Sequence, residues 1–526
     1  MKTYIYIFII LSGTFFLGGC QNFKELEKNP NNPTSVPASL VLQGVLKDLY
    51  SPTGAEQPWG DVHRWNQFYC INYNYYGNNQ YTWTSTSWNY TTLKNVVKME
   101  EEALAAGAGD VNPYSALAKF FKAYFFIYMT QRVGDIPMTD ALKGLELTHP
   151  TYDTQKSVYI QSLKLLDEAN SDLAELIAAN NTTLIGDFYY DAAGGTDKVT
   201  LLKQWQKLVN TYTLRVLISL SKKEADADLN IKQKFAAIIN NPTQYPIMTG
   251  LGDNLQFTYD ATYNKYPTNP GNFGNDATRQ NMSKLHLDLL KSLKDPRIFI
   301  AAAPAQAKLN AGIKFDSFDA YVGASSGEDL GDMSTKANQG EYSFINRLRY
   351  YSNYTGEPGI IVGYSEMCFN IAEAINRGWI SGNAEDSYVK GIKASMKFYD
   401  ITDGGTITVA DQDRKQLGTV TTSVTDYLDQ SSVKYKGNNA DGLTQILTQK
   451  YLSFFQNSGF EAFYNQRRTG VPAFLTGVGT GNSARIPRRW LYPQSEESTN
   501  TENLKNALQS QFGGTDDINT DMWLLK

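Results

Sequence analysis

The chain has 526 residues, 42% of them hydrophobic and 19% charged, so it is too apolar for intrinsic disorder and long enough to bury a large core. Its 48 Lys and Arg against 53 Asp and Glu give a formal net charge of -5, with no surplus of cations to neutralise a phosphate backbone, which argues against a nucleic-acid partner. Aromatic residues make up 13%, led by 34 Tyr, whose rings stack on flat neutral groups while their hydroxyls form hydrogen bonds.

Lys2 precedes an apolar run from Tyr4 to Leu17 that ends in Leu17-Gly18-Gly19-Cys20. A cation, a short apolar stretch and small residues before a cysteine resemble a bacterial lipoprotein signal. Residues 1–19 are expected to be the signal peptide and Cys20 the lipidated first residue of the mature chain. Residues 20–33, polar and rich in Asn and Pro, read as that cysteine and a flexible tether, and 34–526 as one helical domain. A membrane helix needs ~20 apolar residues, and the strongest later run, Phe120 to Met129, is interrupted by Lys122. With Cys20 set aside, only Cys70 and Cys368 remain, which excludes a disulfide framework. Separate buried thiols are the expectation, although the sequence leaves open whether the two meet.

The first long segment, 53–92, is loop-like yet aromatic, with Trp65, Phe68, Tyr69, Tyr73, Tyr75, Tyr76, Tyr81, Trp83 and Trp88 interleaved with Asn and Gln. A helix is predicted from Pro113, with Tyr114, Leu117, Phe121, Phe125 and Tyr128 on one stripe and Gly134 and Pro137 at its end. Two further amphipathic helices carry Leu166, Ala169, Leu173 and Leu176, then Leu202, Trp205, Val209, Tyr212 and Val216. Met367, Ile371 and Ala374, then Tyr388, Ile392 and Tyr399, form a helix pair across a turn at Gly378 to Asn383, a unit of tetratricopeptide (TPR) size. The stretches 250–283, 310–362 and 402–440 read as long loops. The fold class is therefore mainly all-α, with TPR-like pairs carrying long ligand-binding loops.

Catalytic patterns are sparse. His63, His149 and His286 stand far apart with no HExxH, CxxC or EF-hand loop, so no metal site and no cofactor are expected. Gly323-Ala324-Ser325-Ser326-Gly327 fits a nucleophile elbow, but it lies in a polar stretch and every histidine precedes it, against the hydrolase order. Gly477-Val478-Gly479-Thr480-Gly481 lacks the strand and helix of a dinucleotide site and reads as a loop. A pair of carboxylates of the glycosidase kind has no sequence signature, so a lipid-anchored glycoside hydrolase stands as a third reading behind two non-enzymatic ones.

Several strings taken together resemble the SusD/RagB family of outer-membrane lipoproteins, in its SusD-like branch. They are Gln131-Arg132-Val133-Gly134-Asp135-Ile136-Pro137, Asp295-Pro296-Arg297, Ala372-Glu373-Ala374 with Arg377-Gly378-Trp379, Glu461-Ala462-Phe463, Arg467-Arg468-Thr469-Gly470-Val471-Pro472, and Ile486-Pro487-Arg488-Arg489 leading to Tyr492-Pro493-Gln494. The resemblance implies a scaffold of four TPR-like helix pairs that sits at the cell surface as a lid on a SusC-type TonB-dependent transporter. It implies capture of a glycan and delivery to that partner, or in a RagB-like member capture of a peptide. It also implies a shallow aromatic site, for which the ligand-binding candidates here are Trp83, Tyr81, Tyr75, Tyr76, Asn78 and Asn79, with Tyr263, Tyr266 and Tyr321 from later loops. Sugar C–H faces pack on such rings while amides and phenols replace water at the hydroxyls. Arg467, Arg468, Arg488 and Arg489 are assigned to the fold, with Glu461 and Glu496 as nearby ion-pair partners.

Overall fold

The long helices open with α1 (Ala38–Leu49), α2 (Tyr90–Ala105), α3 (Pro113–Val133), α4 (Gln155–Ala178), α5 (Lys198–Ser219) and α6 (Ile231–Asn240). They continue with α7 (Tyr364–Asn376), α8 (Ala384–Phe398), α9 (Ala440–Ser453) and α10 (Glu461–Thr469). This computed structural model describes residues 35–526, and Cys20 and its tether lie outside the described residues. Four sequential pairs pack together: α1 on α2, α3 on α4, α5 on α6 and α7 on α8. Helix α3 also packs on α2, α4 on α5, and α7 bridges to α5 and α9, so the pairs form one continuous TPR-like stack.

Local chemistry sets the ends of these helices. Asn112 caps α3 by accepting from the N–H groups of Tyr114 and Ser115 (2.9 and 3.0 Å), Ser115 returns the bond to Asn112, and Pro113 occupies the first turn. Gly134 ends it with φ of 106°, a conformation that excludes a side chain. Apolar residues surround α3, since Phe120, Phe121, Phe125, Phe126 and Ile127 are all buried, and Lys122 reaches Glu100 at 2.6 Å on α2. Helices α3 and α5 form the middle of the core, with Phe120 and Phe121 set edge-on to Trp205 (5.8 and 5.7 Å). No helix among the described residues is long and apolar enough to cross a membrane.

Three two-stranded antiparallel sheets tie the intervening loops to this scaffold: β1 (Tyr69–Ile71) with β3 (Gln280–Met282), β2 (Leu255–Phe257) with β4 (Gly359–Val362), and β5 (Thr406–Ala410) with β6 (Gln416–Thr421). The hairpin β5–β6 occupies part of the stretch expected as loop, with Ile407 and Val409 facing inward. The two glycine-rich strings read as loops meet each other: Gly479 N–H donates to Gly327 C=O (3.0 Å), and a Cβ on Gly327 would lie 2.3 Å from the Thr476 backbone. Their glycines allow two chain segments to touch, and neither string opens a helix of the kind a phosphate site or a nucleophile elbow requires. His63 and His286 are buried, His63 facing the Glu56 carbonyl at 3.3 Å and His286 stacked on Phe455. Cys70 and Cys368 are separate buried thiols, pushed by burial up to about 12 and about 11.

The C-terminal arginines serve the fold, but with partners other than the expected Glu461 and Glu496. Arg468 grips Glu373 with both terminal nitrogens (2.5 and 2.9 Å), Arg489 pairs with Asp516, and Arg488 with Asp521. Arg467 pairs with no carboxylate among the described residues and donates to the Arg488 and Gln131 carbonyls (both 2.9 Å). Glu496 instead accepts from Trp88 Nε1 (3.0 Å) and Tyr152 Oη (2.5 Å), while Glu461 lies 3.9 Å from Arg215.

Candidate ligand-binding site

The early aromatic segment leaves β1 and divides into exposed and buried residues. Ile71 ends β1, and Asn72 fixes the crossing to β3 by donating from Nδ2 to Asn281 Oδ1 (2.5 Å) while its N–H bonds the Arg279 carbonyl (3.0 Å). This juxtaposition carries the short turn Asn74–Tyr76 to the surface, with Tyr73 and Tyr75 exposed, Tyr75 to 80%. Arg279, from the strand-leading segment across the sheet, sets its guanidinium 4.4 Å from the Tyr73 ring centroid. Asn78, also exposed, accepts from Gln80 N–H (2.9 Å) and shapes the return of the loop. Tyr76 lies in the same turn.

Beyond Asn78 the segment turns inward. Asn79 is buried and bonds both backbone groups of Ile71. Tyr81 is fully buried, donating to the Trp65 carbonyl (2.6 Å) and accepting from Gln67 Nε2 (3.2 Å). Trp83 is 6% exposed, stacked on Trp490 at 3.9 Å and flanked by Phe463 at 4.8 Å and Trp65 at 5.4 Å. The sequence expectation of ligand contacts at Asn79 and Tyr81 and of an open stacking face at Trp83 is therefore corrected: the amide and the phenol are spent on internal hydrogen bonds, and the Trp83 ring is consumed by an internal aromatic cluster.

The later loops divide in the same way. Tyr263 is 89% exposed on a separate turn held by Asp260, whose carboxylate accepts from the N–H groups of Thr262, Tyr263 and Asn264 (2.7, 2.6 and 3.0 Å). Tyr266 and Tyr321 are fully buried, and this too corrects their assignment as ligand contacts. Tyr266 accepts from Trp59 Nε1 (3.2 Å) and meets Tyr259 edge-on at 5.2 Å, while Tyr321 donates to the Phe315 carbonyl (2.9 Å). Burial raises the phenol pKa values of Tyr81, Tyr266 and Tyr321 well above the ordinary range, so these groups stay protonated.

What reaches solvent on one side of the β1–β3 ribbon is thus Tyr73, Tyr75 and Asn78 with Arg279: flat rings, an amide and a fork of N–H donors. Such a surface suits a flat, uncharged, hydroxyl-rich ligand. Arg279 was absent from the sequence-derived set because only the β1–β3 pairing, between segments far apart in the chain, brings it to Tyr73. Among the described residues no group of three or more His, Cys, Asp or Glu is arranged to hold a metal ion.

Residues 30–493 match the family model SusD-like_2, whose description is starch-binding associating with outer membrane. Among solved structures, a SusD homologue from Bacteroides fragilis NCTC 9343 is 32% identical with a TM-score of 0.79, covering 93% of this chain and 100% of the other. A Bacteroides vulgatus ATCC 8482 protein, described in terms of the outer membrane and nutrient binding, is 31% identical with a TM-score of 0.76 over 93% and 100% of the two chains. A chitin-binding SusD homologue from Flavobacterium johnsoniae shares the fold at 19% identity and a TM-score of 0.67, over 93% and 98%. No curated protein matched the sequence.

Proposed function

Because this chain belongs to the SusD-like family, we propose that it is a non-enzymatic cell-surface lipoprotein, anchored through Cys20, that captures a glycan and passes it to a SusC-type TonB-dependent transporter in the outer membrane. The observation that carries this reading is the exposed face of Tyr73, Tyr75 and Asn78 with Arg279, presented on loops above the helical stack. Rings of this kind pack against the C–H face of a sugar, and the amide and guanidinium replace the water that its hydroxyls give up. Tyr76, whose backbone lies in the same turn, and Tyr263, exposed on a separate turn, stand as further proposed contacts. Nutrient binding and chitin binding in the descriptions of structural relatives support the ligand class.

Native affinity electrophoresis of residues 21–526 through gels containing soluble polysaccharides, with assay of released reducing ends, tests the reading. Retardation by at least one polysaccharide without product supports capture. Retardation accompanied by reducing ends that disappear on replacing one carboxylate moves the protein to the glycoside hydrolases. No retardation, together with calorimetric binding of a peptide digest, moves it to the peptide-capturing branch.

A further inference from the structure

Where α1, α3 and the loop segment 51–89 meet, the fold holds a half-open cleft of about 370 Å³, at the small end of the roughly 300–1,000 Å³ typical of ligand pockets. It is lined by Trp65, Tyr128, Phe460 and Trp490, and by Tyr50 and Tyr124, which also line an adjoining smaller cavity. Two charged side chains stand among these rings. Arg132 lies 3.9 Å from the Tyr128 centroid and 5.0 Å from that of Phe460, and its Nη2 donates to Glu56 Oε1 at 2.8 Å. The opposite charges cancel, so the pair exerts little net pull on an ion.

Hydrogen-bonding capacity is left over at this pair. Glu56 Oε1 already accepts from the Tyr128 hydroxyl (2.7 Å) and from Arg132, whereas Oε2 has no hydrogen-bond partner among the described residues. Among the described residues Arg132 Nη1 reaches Thr86 Oγ1 at a long 3.4 Å, so its donor capacity is only partly used. An acceptor and a donor side by side, ringed by aromatic faces and rimmed by Ser85, Ser87 and Asn89, match adjacent hydroxyls on a pyranose, one donating and one accepting.

We infer that this cleft is a second saccharide site that takes a free short sugar or the terminal residue of a chain, an inference that rests on the glycan reading above. Trp65 couples it to the loop face: its Nε1 donates to the Gln80 carbonyl (3.1 Å), and the Gln80 N–H is held by Asn78. The same strand of loop therefore has Asn78 on the outer surface and a cleft wall on the inner one.

Saturation-transfer difference NMR on residues 21–526 with free glucose, galactose, mannose, xylose and N-acetylglucosamine tests the inference. At least one sugar is expected to give a saturable signal, weakened about tenfold or more, equivalent to about 1.4 kcal/mol, in Trp65→Ala. Ser87→Trp, which places a bulky ring at an exposed rim position and disturbs no buried packing, is expected to weaken it as much, so the test stands even if Trp65→Ala folds poorly. A signal that Ser87→Trp leaves at wild-type strength and Tyr75→Ala removes belongs to the loop face and overturns the cleft site. No signal from any sugar, with a polysaccharide still retarding the protein in affinity gels, overturns the cleft site and leaves glycan capture standing. Absence of both overturns the two readings together.

Discussion

Asn79 acts as a substitute strand for Ile71: its Oδ1 accepts from the Ile71 N–H at 2.9 Å and its Nδ2 donates to the Ile71 C=O at 2.8 Å. The side chain is buried and Nδ2 also lies 3.7 Å from Met333 Sδ, so the amide pins the returning loop both to β1 and to the 330–338 helix. Asn79→Ala should therefore leave a buried backbone donor and acceptor unpaired, at a cost of about 1–3 kcal/mol for each group that water cannot reach. Chemical denaturation measures this. Asn79→Asp should be no rescue, because a carboxylate facing the Ile71 C=O has nothing to donate. Stability equal to wild type in both variants would show that the loop is held elsewhere.

Trp83 and Tyr75 should respond to truncation in opposite ways. Trp83→Ala removes a ring packed between Trp490, Phe463 and Trp65, and should cost about 3–5 kcal/mol of stability. Tyr75→Ala removes an 80% exposed ring and should leave the melting temperature within error, while weakening polysaccharide retardation by about 1 kcal/mol or more. Thermal melts beside affinity gels separate the two effects. A stable Trp83→Ala that binds poorly would restore Trp83 to the ligand site.

The contrast between these two residues also shows what a sequence carries. The helical scaffold is legible because the stripe through Leu117, Phe121 and Phe125 is local, and because Asn112, Pro113 and Gly134 mark the ends of α3 by their own backbone chemistry. The turn at Gly378 is legible for the same reason. Hairpin β5–β6 is signalled only by the alternation Thr406-Ile407-Thr408-Val409, too short to stand out within a polar stretch. Burial in the 53–92 segment has no local signal. Tyr75 and Trp83 share one Asn- and Tyr-rich run, and what separates them is contact with Trp490 and Phe463, from the far end of the chain. Arg279 and the pairing of Arg132 with Glu56 are hidden likewise, since each depends on segments that only the tertiary fold brings together.

Glu373 and Arg468 form a bidentate pair in which the carboxylate is fully buried and the guanidinium nearly so, with Arg377 adding a third contact at 2.8 Å. Burial alone would raise the Glu373 carboxyl, but Arg468, with Lys450 and Arg377, holds it down at about 2. Glu373→Gln keeps the shape and removes the charge, so Arg468 is left buried without its counterion. The expected loss is about 3–5 kcal/mol, read from urea midpoints at neutral pH. Replacing both residues with apolar side chains of similar volume should recover much of that loss, because no charge then stays buried. A Glu373→Gln variant as stable as wild type would mean that water reaches Arg468.

Acid should destabilise the fold through its two buried histidines. Burial lowers His63 to about 4 and His286 to about 3, against an ordinary value near 6.5. Below pH 6.5 the unfolded chain takes up protons at both rings while the folded chain does not, so stability is full above about 6.5 and falls as the pH drops toward these lower values. At pH 5 each ring contributes a loss of about 2 kcal/mol. Asp135 works the other way, since burial raises it to about 6 and its protonation in that range favours the folded state. The diagnostic is therefore a difference: His286→Leu, which keeps an apolar side chain beside Phe455 and Phe68, should flatten the pH dependence between 5 and 6.5 by about one proton. Denaturant midpoints measured across that range give the slope directly. An unchanged slope would show that His286 is already protonated in the folded protein.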